Sequence, residues 1–474
     1  MLGAADRFVP FVQRYSSYFH TRSDHDCSGI LSYMCGLVQA KRGAKNMERM
    51  EEHVPGFEYQ NVHHSISKSP WDHRALMDRI AVDADGLLGG GRRPRLVYDD
   101  TGMEKKGQES VGVARQYLGR LGKIDNGQIA VCASLASGQH STLVDTRLYL
   151  PQQWAEDPQR CRKAGVPEAH IVYQTKAQIA LESALHLRSL GVRFSVVSMD
   201  SGYGSQPALL HGLDAHHETF VAEVHCDNHI WSEHPWRHQE PKRPGAKPLV
   251  APRACSPSQR VDEYVRALDE LDWRRLKVRD SDQGWVEVNY IARRIWVADG
   301  PQEKTWWLLA WENPDEQRSK DQHGNQYGPR RHYALSNARA DEDPRQLIAD
   351  GVERNVVERN FRDAKSESGM ADYQTRSWTA WHHHMALVML VMLFAQTEKM
   401  HHTPPAEAPP LTMGDLTFVM ERLLPQRGYG EPQREEVRCM LQKRLFKRAA
   451  DQTRRKRQTK SKRPPLMADE APFT

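Results

Sequence analysis

The sequence predicts an α/β protein, in which a helical segment precedes a mixed sheet with helices. Apolar residues in 1–88 recur every three to four positions, which is the spacing of amphipathic helices. From residue 95 they instead alternate or form short runs bounded by turn residues, which is the pattern of strands. Between residues 95 and 226 three strands are followed by a helix, a strand, a helix and a strand. This order predicts a mixed sheet covered by helices.

Local signals place the individual elements of the first half. The N-terminal helices are predicted from FVPFVQRYSSYF, SGILSYMCGLVQA and WDHRALMDRIAVDADGLL. The glycine-rich run GGGRRPR at 89–95 then separates a helical domain, 1–88, from a first core segment, 93–226. Strands are predicted from LVYDD, GQIAVCASLAS, STLVDTRLYL, VRFSVVSMD and HETFVAEV, and helices from TKAQIALESALHLRSLG and PALLHGLDA. Gly191 ends the longer of these two helices, as expected for a helix C-terminus.

The second half contains three further predicted segments. Residues 227–345 are rich in Pro, Trp, Arg and Asp and contain strand-like runs, so we expect a β-rich insertion there. A long helical region at 346–400 is the predicted second part of the core. Residues 401–474 hold a proline-rich linker, further helices and a basic tail.

Length and composition bound the class of protein. A chain of 474 residues fits roughly two or three domains. Its longest apolar run, 385–395, is much shorter than the about 20 residues of a membrane-spanning helix. The first residues lack a basic segment followed by a long apolar stretch, so we expect neither a membrane protein nor an exported one. The seven scattered cysteines form no CxxC motif and favour a reducing cytoplasm over a disulfide framework.

Positive charge is concentrated near the C-terminus. The chain has a net charge of +5, but residues 443–463 alone hold eleven Lys and Arg against one Asp, a net +10. The rest of the chain is therefore net −5. Such a tail favours a polyanionic partner such as nucleic acid, and the alternative is a solvated, unstructured end.

Two predicted strands end in aspartate. Asp99, which Asp100 follows, ends the first core strand, and Asp200 ends the strand VRFSVVSMD. In α/β sheets ligands gather at strand ends, and carboxylates there are suitable ligands for Mg²⁺. Two such ions about 4 Å apart support phosphodiester chemistry. The alternative for either aspartate alone is a turn-forming role. Adjacent strand residues point to opposite faces, so only one of the first two can face a metal, and we choose Asp99.

A third candidate element is the segment VERNVVERNFRDAKSESG. If it is one helix, Arg354, Glu358 and Lys365 lie within 40° of one another on a single stripe. One acid flanked by two bases suits a metal ligand beside DNA phosphates. The alternative is an exposed Arg–Glu pair of the ordinary i,i+4 kind.

Several long blocks resemble the insertion-sequence 701 family of bacterial DDE transposases, which are related to the insertion-sequence 4 transposases. The resemblance extends in order from about residue 8 to 400. The blocks are DDTGMEKKGQESVGVARQYLGRLGKIDNGQIAV, LYLPQQWAEDPQRCRKAGVP, MDSGYG and VERNFRDAKSESGMADYQTRSWTAWHHHMAL. The resemblance implies a catalytic core with an RNase H-like fold and a β-rich insertion before the last acidic residue.

The resemblance also implies a metal site. By motif position Asp99, Asp200 and Glu358 form an Asp-Asp-Glu triad that binds two Mg²⁺ ions, with Mn²⁺ as a possible substitute. The related transposases carry a Tyr-Arg-Glu-Lys signature around the glutamate. Arg354 and Lys365 keep that spacing here and are expected to orient DNA phosphates, whereas the Tyr position is occupied by Gly351. The sequence therefore departs from the family's signature at this position.

The function implied is that of a DNA transposase. We expect the N-terminal helices, and the basic tail with them, to bind the terminal inverted repeats of the element. The core would then cleave DNA and transfer the free strand to a target, as a homodimer in a synaptic complex on the bacterial nucleoid. Lys105, Arg115 and Lys123 are further candidate phosphate contacts, with a solvated loop as the alternative. The alternatives are a catalytically silent, domesticated DNA-binding relative and an RNase H-like nuclease without strand transfer.

Overall fold

The computed structural model describes residues 2–20, 27–119, 121–235, 257–281, 284–297, 304–314, 330–402, 410–425 and 434–462. The chain forms two compact units. Unit 1 comprises residues 1–194 and 355–451, and unit 2 comprises residues 195–354 and 452–474.

The described helices and strands follow the chain in this order. The helices are α1 Ala4–Gln13, α2 Ser16–Phe19, α3 Ser28–Gln39, α4 Met47–Glu51, α5 Tyr59–Ser67, α6 His73–Leu88, α7 Gln152–Ala155, α8 Pro158–Lys163, α9 Lys176–Ser189, α10 Ser201–Gly204, α11 Pro207–Ala215, α12 Val261–Ala267, α13 Pro344–Val352, α14 Val356–Glu367, α15 Trp378–His401, α16 Met413–Leu423 and α17 Arg434–Lys462. The strands are β1 Arg95–Glu104, β2 Ala114–Leu118, β3 Lys123–Ser137, β4 His140–Leu148, β5 Val196–Met199, β6 Phe220–Val224, β7 His229–Ile230, β8 Gln259–Arg260, β9 Arg274–Ser281, β10 Gly284–Val297, β11 Lys304–Glu312 and β12 Arg331–Ser336.

Helix α15 is the centre of the hydrophobic core of unit 1. Its Phe394 ring meets Phe8 and Phe11 of α1 at centroid distances of 5.0 and 5.1 Å, in edge-to-face and related geometries. Nearly every residue of the helix from Trp378 to Gln396 is buried, which explains why its sequence is apolar on all sides. Within the described part of the chain, this helix is long and apolar enough to cross a membrane by length and composition, but 94% of that stretch is buried inside the fold.

The sheet of unit 1 is antiparallel. Strand β3 lies between β1 and β2, and β4 also pairs with β3. The predicted end of the first core strand at Asp99 is wrong, because β1 stays paired with β3 as far as Glu104, and Asp99 lies within the ladder opposite Cys132. Strand β2 is absent from the sequence prediction, because its five residues lie between glycines and show too short an alternation to be recognised.

The sheet of unit 2 is mixed. Strands β5 and β6 run parallel, and β12, β11, β10 and β9 continue the sheet from β6 in antiparallel order. Helix α13 covers this sheet, with Leu347 and Ile348 packed into a core that includes Trp307 and Trp311. The β-rich residues that follow β6 therefore extend a sheet already present, and the predicted domain boundaries themselves stay predictions.

The mixed α/β fold is confirmed, and one predicted helix is wrong. The sequence predicts a continuous helix through the segment that contains Arg354 and Glu358. The structure instead ends α13 at Val352, inserts a 3-10 turn over Glu353–Asn355, and begins α14 afterwards. Glycine and asparagine, two poor helix formers, stand at 351 and 355 on either side of the break. Arg354 therefore does not share a helical stripe with Glu358.

Candidate active site

Asp99 and Asp100 stand on β1 with different surroundings. The Asp100 carboxylate accepts a hydrogen bond from Lys176 Nζ at 2.6 Å, in an ion pair with the first residue of α9. Asp99 lies across the ladder from Cys132. Burial is the main cause of the raised pKa of the Cys132 thiol, and the negative charge of Asp99 adds to it. Asp99 Oδ1 accepts the backbone N–H of Asp100 at 2.7 Å, and the choice of Asp99 over Asp100 as a metal ligand stays a prediction.

Asp200 follows β5 and caps the short helix α10. Its Oδ1 accepts the backbone N–H groups of Gly202 and Tyr203 at 3.1 and 3.2 Å, which fixes the orientation of the carboxylate. The glycine at 204 is required by packing. A Cβ there would lie 1.9 Å from the carbonyl oxygen of Glu223 on β6. The MDSGYG block therefore encodes a tight turn that holds one carboxylate at a strand end.

Glu358 lies in the first turn of α14, where its side chain is exposed. A negative charge at a helix N-terminus is favourable because of the helix dipole. Lys365, seven residues later, shares its face of the helix. Lys365 Nζ donates a hydrogen bond to the carbonyl oxygen of Gly102 at 2.8 Å, three residues beyond Asp99 on β1. Unit 1 thus brings the predicted lysine to the strand that carries the first predicted acid.

Arg354 belongs to an ion cluster of unit 2. Its Nε donates to Glu223 Oε1 at 2.9 Å, and both side chains are about 15% exposed. Glu223 also pairs with His332 Nδ1 at 3.1 Å. Burial alone would raise the pKa of Glu223, but the hydrogen bond with His332 and the charge of Arg354 lower it overall. Arg354 is therefore held in place by a carboxylate that sequence reasoning did not identify.

The same cluster explains the glycine at the family's Tyr position. The Trp311 ring stacks on His332, with centroids 5.4 Å apart and planes 5° apart. A Cβ on Gly351 would lie 2.8 Å from that Trp311 ring. Since the indole already fills this volume, a large side chain at 351 cannot fit. A tyrosine at 351 would therefore require the Trp311 ring on β11 to move.

The remaining predicted phosphate contacts differ in accessibility. Lys105 donates to the Tyr373 carbonyl oxygen at 2.9 Å and lies 3.4 Å above the ring of the same residue. Burial lowers the pKa of Lys105 to about 8, so this lysine is part of the packing of unit 1. Arg115 is exposed on β2. Lys123 is exposed and forms an ion pair with Asp125 at 2.8 Å.

Sequence reasoning also missed a buried ion network behind β1. Asp145 is 1% exposed and accepts hydrogen bonds from Arg74, Arg147 and Ser183 at 2.7, 2.9 and 2.6 Å. Ser183 in turn accepts from the Tyr98 hydroxyl at 2.9 Å. These residues come from four separate elements without a motif, so no local signal could have found them.

The three acidic residues predicted to bind metal are suitable ligands for a hard divalent cation. The predicted triad is made of carboxylates, which are the oxygen ligands that Mg²⁺ prefers. Among the residues that the structure describes, no three His, Cys, Asp or Glu side chains are grouped closely enough to hold a metal ion. The triad of Asp99, Asp200 and Glu358 therefore stays a prediction.

Comparisons with known proteins place the chain in a family. Residues 14–284, more than half of the chain, match the model of the DDE superfamily endonucleases. The chain therefore belongs to this superfamily, in agreement with its mixed α/β fold and the predicted RNase H-like core. The matched region includes Asp99 and Asp200 and ends before Glu358.

A more specific similarity points to one group of transposases. The chain is 30% identical over 223 residues to the probable transposase for insertion sequence element IS701 of Microchaete diplosiphon. The aligned part is 46% of this chain and 54% of that relative, so the chain matches about half the length of the relative. The predicted resemblance to the insertion-sequence 701 transposases is thereby confirmed.

Proposed function

We propose that this chain is the transposase of a bacterial insertion sequence, which cuts and joins DNA at the ends of its own element. The observation that carries the proposal is the DDE endonuclease match, because it includes Asp99 on β1 and Asp200 directly after β5. The similarity to the probable transposase for IS701 favours DNA transposition over other reactions of the superfamily.

The acidic residues have the chemistry that this reaction requires. Asp99, Asp200 and Glu358 are proposed to hold two Mg²⁺ ions, for which Mn²⁺ can substitute. When bound, these ions activate water and stabilise the leaving oxygen of a phosphodiester. The proposal is supported by the fixed orientation of Asp200, whose Oδ1 accepts two backbone N–H groups. It is also supported by the exposure of Glu358 at a helix N-terminus.

Two cations are proposed to orient the phosphates at the element's end. Lys365 is held by the Gly102 carbonyl oxygen, and Arg354 by the Glu223 carboxylate. An arginine stays charged at every physiological pH, so its pairing restricts orientation without removing the guanidinium. Water would break one P–O bond to free a 3′-OH. That 3′-OH would then attack a phosphorus atom of the target strand and displace one bridging oxygen. One phosphodiester bond is thereby exchanged for another.

DNA recognition is proposed for the N-terminal helices and the basic tail. Helix α17 begins this tail, and its Lys443 and Lys447 are exposed. Part of the tail lies outside the described residues. Transposition of this type joins two element ends, so we propose a homodimer that acts on chromosomal DNA in the bacterial cytoplasm.

An excision assay on a plasmid that carries the element's own ends tests the proposal. Asp200→Asn is expected to lower cleavage at least about 100-fold, because losing a residue that only supports a metal ligand already costs about 10–100-fold. Asp341→Asn is the matched control, since its side chain is 70% exposed and pairs with Arg339 on the surface. Equal activity of the parent and Asp200→Asn would refute the assignment.

The alternatives give different results in the same system. A silent DNA-binding relative would bind the ends but show no Mg²⁺-dependent cleavage. A nuclease without strand transfer would cut, yet pre-cut ends with free 3′-hydroxyls would never become joined to target DNA.

A further inference from the structure

A buried amide lies on the inner face of α14. Asn360 is 3% exposed and belongs to the buried stripe of that helix, together with Val357, Phe361 and Ala364. Its Oδ1 accepts a hydrogen bond from the Ser141 hydroxyl of β4 at 2.9 Å, and Ser141 is itself 7% exposed. Among the described residues, the Nδ2 of Asn360 has no hydrogen-bond partner. We call Asn360 and Ser141 the amide–serine pair.

Stability does not account for this amide. A buried donor that is left unsatisfied costs about 1–3 kcal/mol, whereas replacing both partners of a buried hydrogen bond by apolar groups of the same shape is nearly neutral or stabilising. An apolar residue at 360 would simply continue the buried stripe of α14. A hydrogen bond is directional, however, so it fixes how far the helix is rotated about its axis more sharply than apolar packing does.

The first turn of α14 is not held by a helix cap. The chain enters unit 1 at Asn355, which is the N-cap residue of α14. Within the described part of the chain, the Asn355 side chain makes no capping hydrogen bond. Lys365, which donates to the Gly102 carbonyl oxygen, restrains the other end of the helix. The amide–serine pair therefore anchors α14 only two residues from Glu358.

The pair connects the two predicted acids of unit 1. Successive helical residues are rotated by about 100°, so Asn360 points about 200° away from Glu358, toward the opposite side of α14. Ser141 lies on β4, which pairs with β3, and β3 in turn pairs with β1, the strand of Asp99. A rotation of α14 about its axis would thus turn Glu358 relative to the sheet that carries Asp99.

We propose that Asn360 is a positioning residue, whose hydrogen bond to Ser141 fixes the rotation of α14 and thereby the direction of the Glu358 carboxylate relative to Asp99. The proposal rests on the proposed metal-dependent transposase function. Asn360 is buried and acts through Glu358, so it contacts neither metal nor DNA in this role. Groups that support a metal ligand in this indirect way are typically worth about 10–100-fold in metal affinity or activity.

The test compares the full chain with Asn360→Leu, Ser141→Ala and the double variant. Two quantities are measured: the binding of Mn²⁺, followed by the electron paramagnetic resonance of the free ion, and the Mg²⁺ concentration that gives half-maximal cleavage of the element's ends. Gln396→Leu is the matched control. Gln396 is a 2% exposed amide on α15, and its Nε2 contacts Nδ1 of His140, the residue before Ser141.

All three variants are expected to bind Mn²⁺ about tenfold more weakly and to need correspondingly more Mg²⁺ for cleavage. The single and double variants should lose the same amount, because each breaks the same contact. The double variant should melt no lower than the parent, since both partners of the hydrogen bond are replaced by apolar groups. Gln396→Leu should leave Mn²⁺ affinity unchanged.

Several outcomes would overturn the positioning role while leaving the transposase proposal intact. They are an unchanged Mn²⁺ affinity in the double variant, an effect of Asn360→Leu that Ser141→Ala does not reproduce, and an equal loss in Gln396→Leu. A double variant that melts several degrees below the parent would show that the pair serves stability and would also overturn it. If the parent neither binds Mn²⁺ nor cleaves the ends, the proposed function itself fails.

Discussion

Replacing Asp145 by asparagine is expected to destabilise unit 1 strongly. The Asp145 carboxylate is 1% exposed and pairs with Arg74 at 2.7 Å and Arg147 at 2.9 Å. It also accepts from the Ser183 hydroxyl at 2.6 Å. An asparagine keeps the size of the side chain but removes the charge that compensates two guanidinium groups.

The magnitude follows from what the variant leaves behind. Removing one partner of a buried ion pair costs about 3–5 kcal/mol, because an uncompensated charge stays in the interior. Arg74 retains a second ion pair with Asp78 at 2.7 Å, which limits the loss. We therefore expect the free energy of unfolding to fall by about 3 kcal/mol, at the lower end of that range.

The pH dependence gives a second signature. Burial alone would raise the pKa of Asp145, but the charges of Arg74 and Arg147 lower it far below its ordinary value. A lowered folded-state pKa stabilises the fold above the unfolded value of about 3.9, and this contribution is lost as pH falls through the folded-state pKa. The difference between parent and variant should thus be constant above about pH 5 and shrink in acid.

Urea unfolding followed by tryptophan fluorescence measures both effects. Asp341→Asn is the control, because that exposed pair with Arg339 should contribute at most about 1 kcal/mol. A loss below about 1 kcal/mol for Asp145→Asn, or a difference that grows in acid, would refute the reasoning.

Three further predictions concern packing, ion pairing and acid. Gly351→Ala should lower stability by about 1–3 kcal/mol in thermal unfolding, because its Cβ meets the Trp311 ring at 2.8 Å; an unchanged melting temperature would contradict this. Glu223→Gln should lower stability by about 3 kcal/mol, since Arg354 loses its buried counter-charge; a loss no larger than that of a surface pair would exclude this role. Burial lowers the pKa of His383 to about 4, so its protonation in the unfolded state should contribute about 2 kcal/mol to the loss of stability between pH 7 and 5. Burial also lowers the pKa of His73, His382 and His384, which add to this loss, so urea titrations at both pH values should compare the parent with His383→Gln. A histidine-to-glutamine change at 383 that left this pH dependence intact would assign it to other groups.

Elements with a strong local signal were predictable from the sequence. The helix α9 begins at a capping box between Thr175 and Gln178 and ends before Gly191, in the left-handed conformation that glycine favours. The strands that carry Asp99 and precede Asp200 were visible as short apolar runs followed by acids, although β1 continues beyond Asp99 to Glu104. These signals depend on neighbours within a few residues, so they survive without knowledge of the tertiary fold.

Elements that depend on distant contacts were not predictable. The break before α14 coincides with Gly351, which packs on a tryptophan 40 residues earlier in the chain. Lys105 looks like a solvated phosphate contact in the sequence, yet its ammonium packs on Tyr373. The Glu223 partner of Arg354 lies 131 residues away. In each case the decisive partner comes from another element, and no local pattern records it.

The amino-acid order alone determined the alternation of helices and strands, the acidic residue that follows β5 and the resemblance to a transposase family. Tertiary structure alone decided that Asp100 pairs with Lys176, that Arg354 pairs with Glu223, and which large apolar side chains remain exposed. The spacing of apolar residues depends on neighbours within a few positions of the chain. Charge pairing and burial instead depend on elements that meet only after folding.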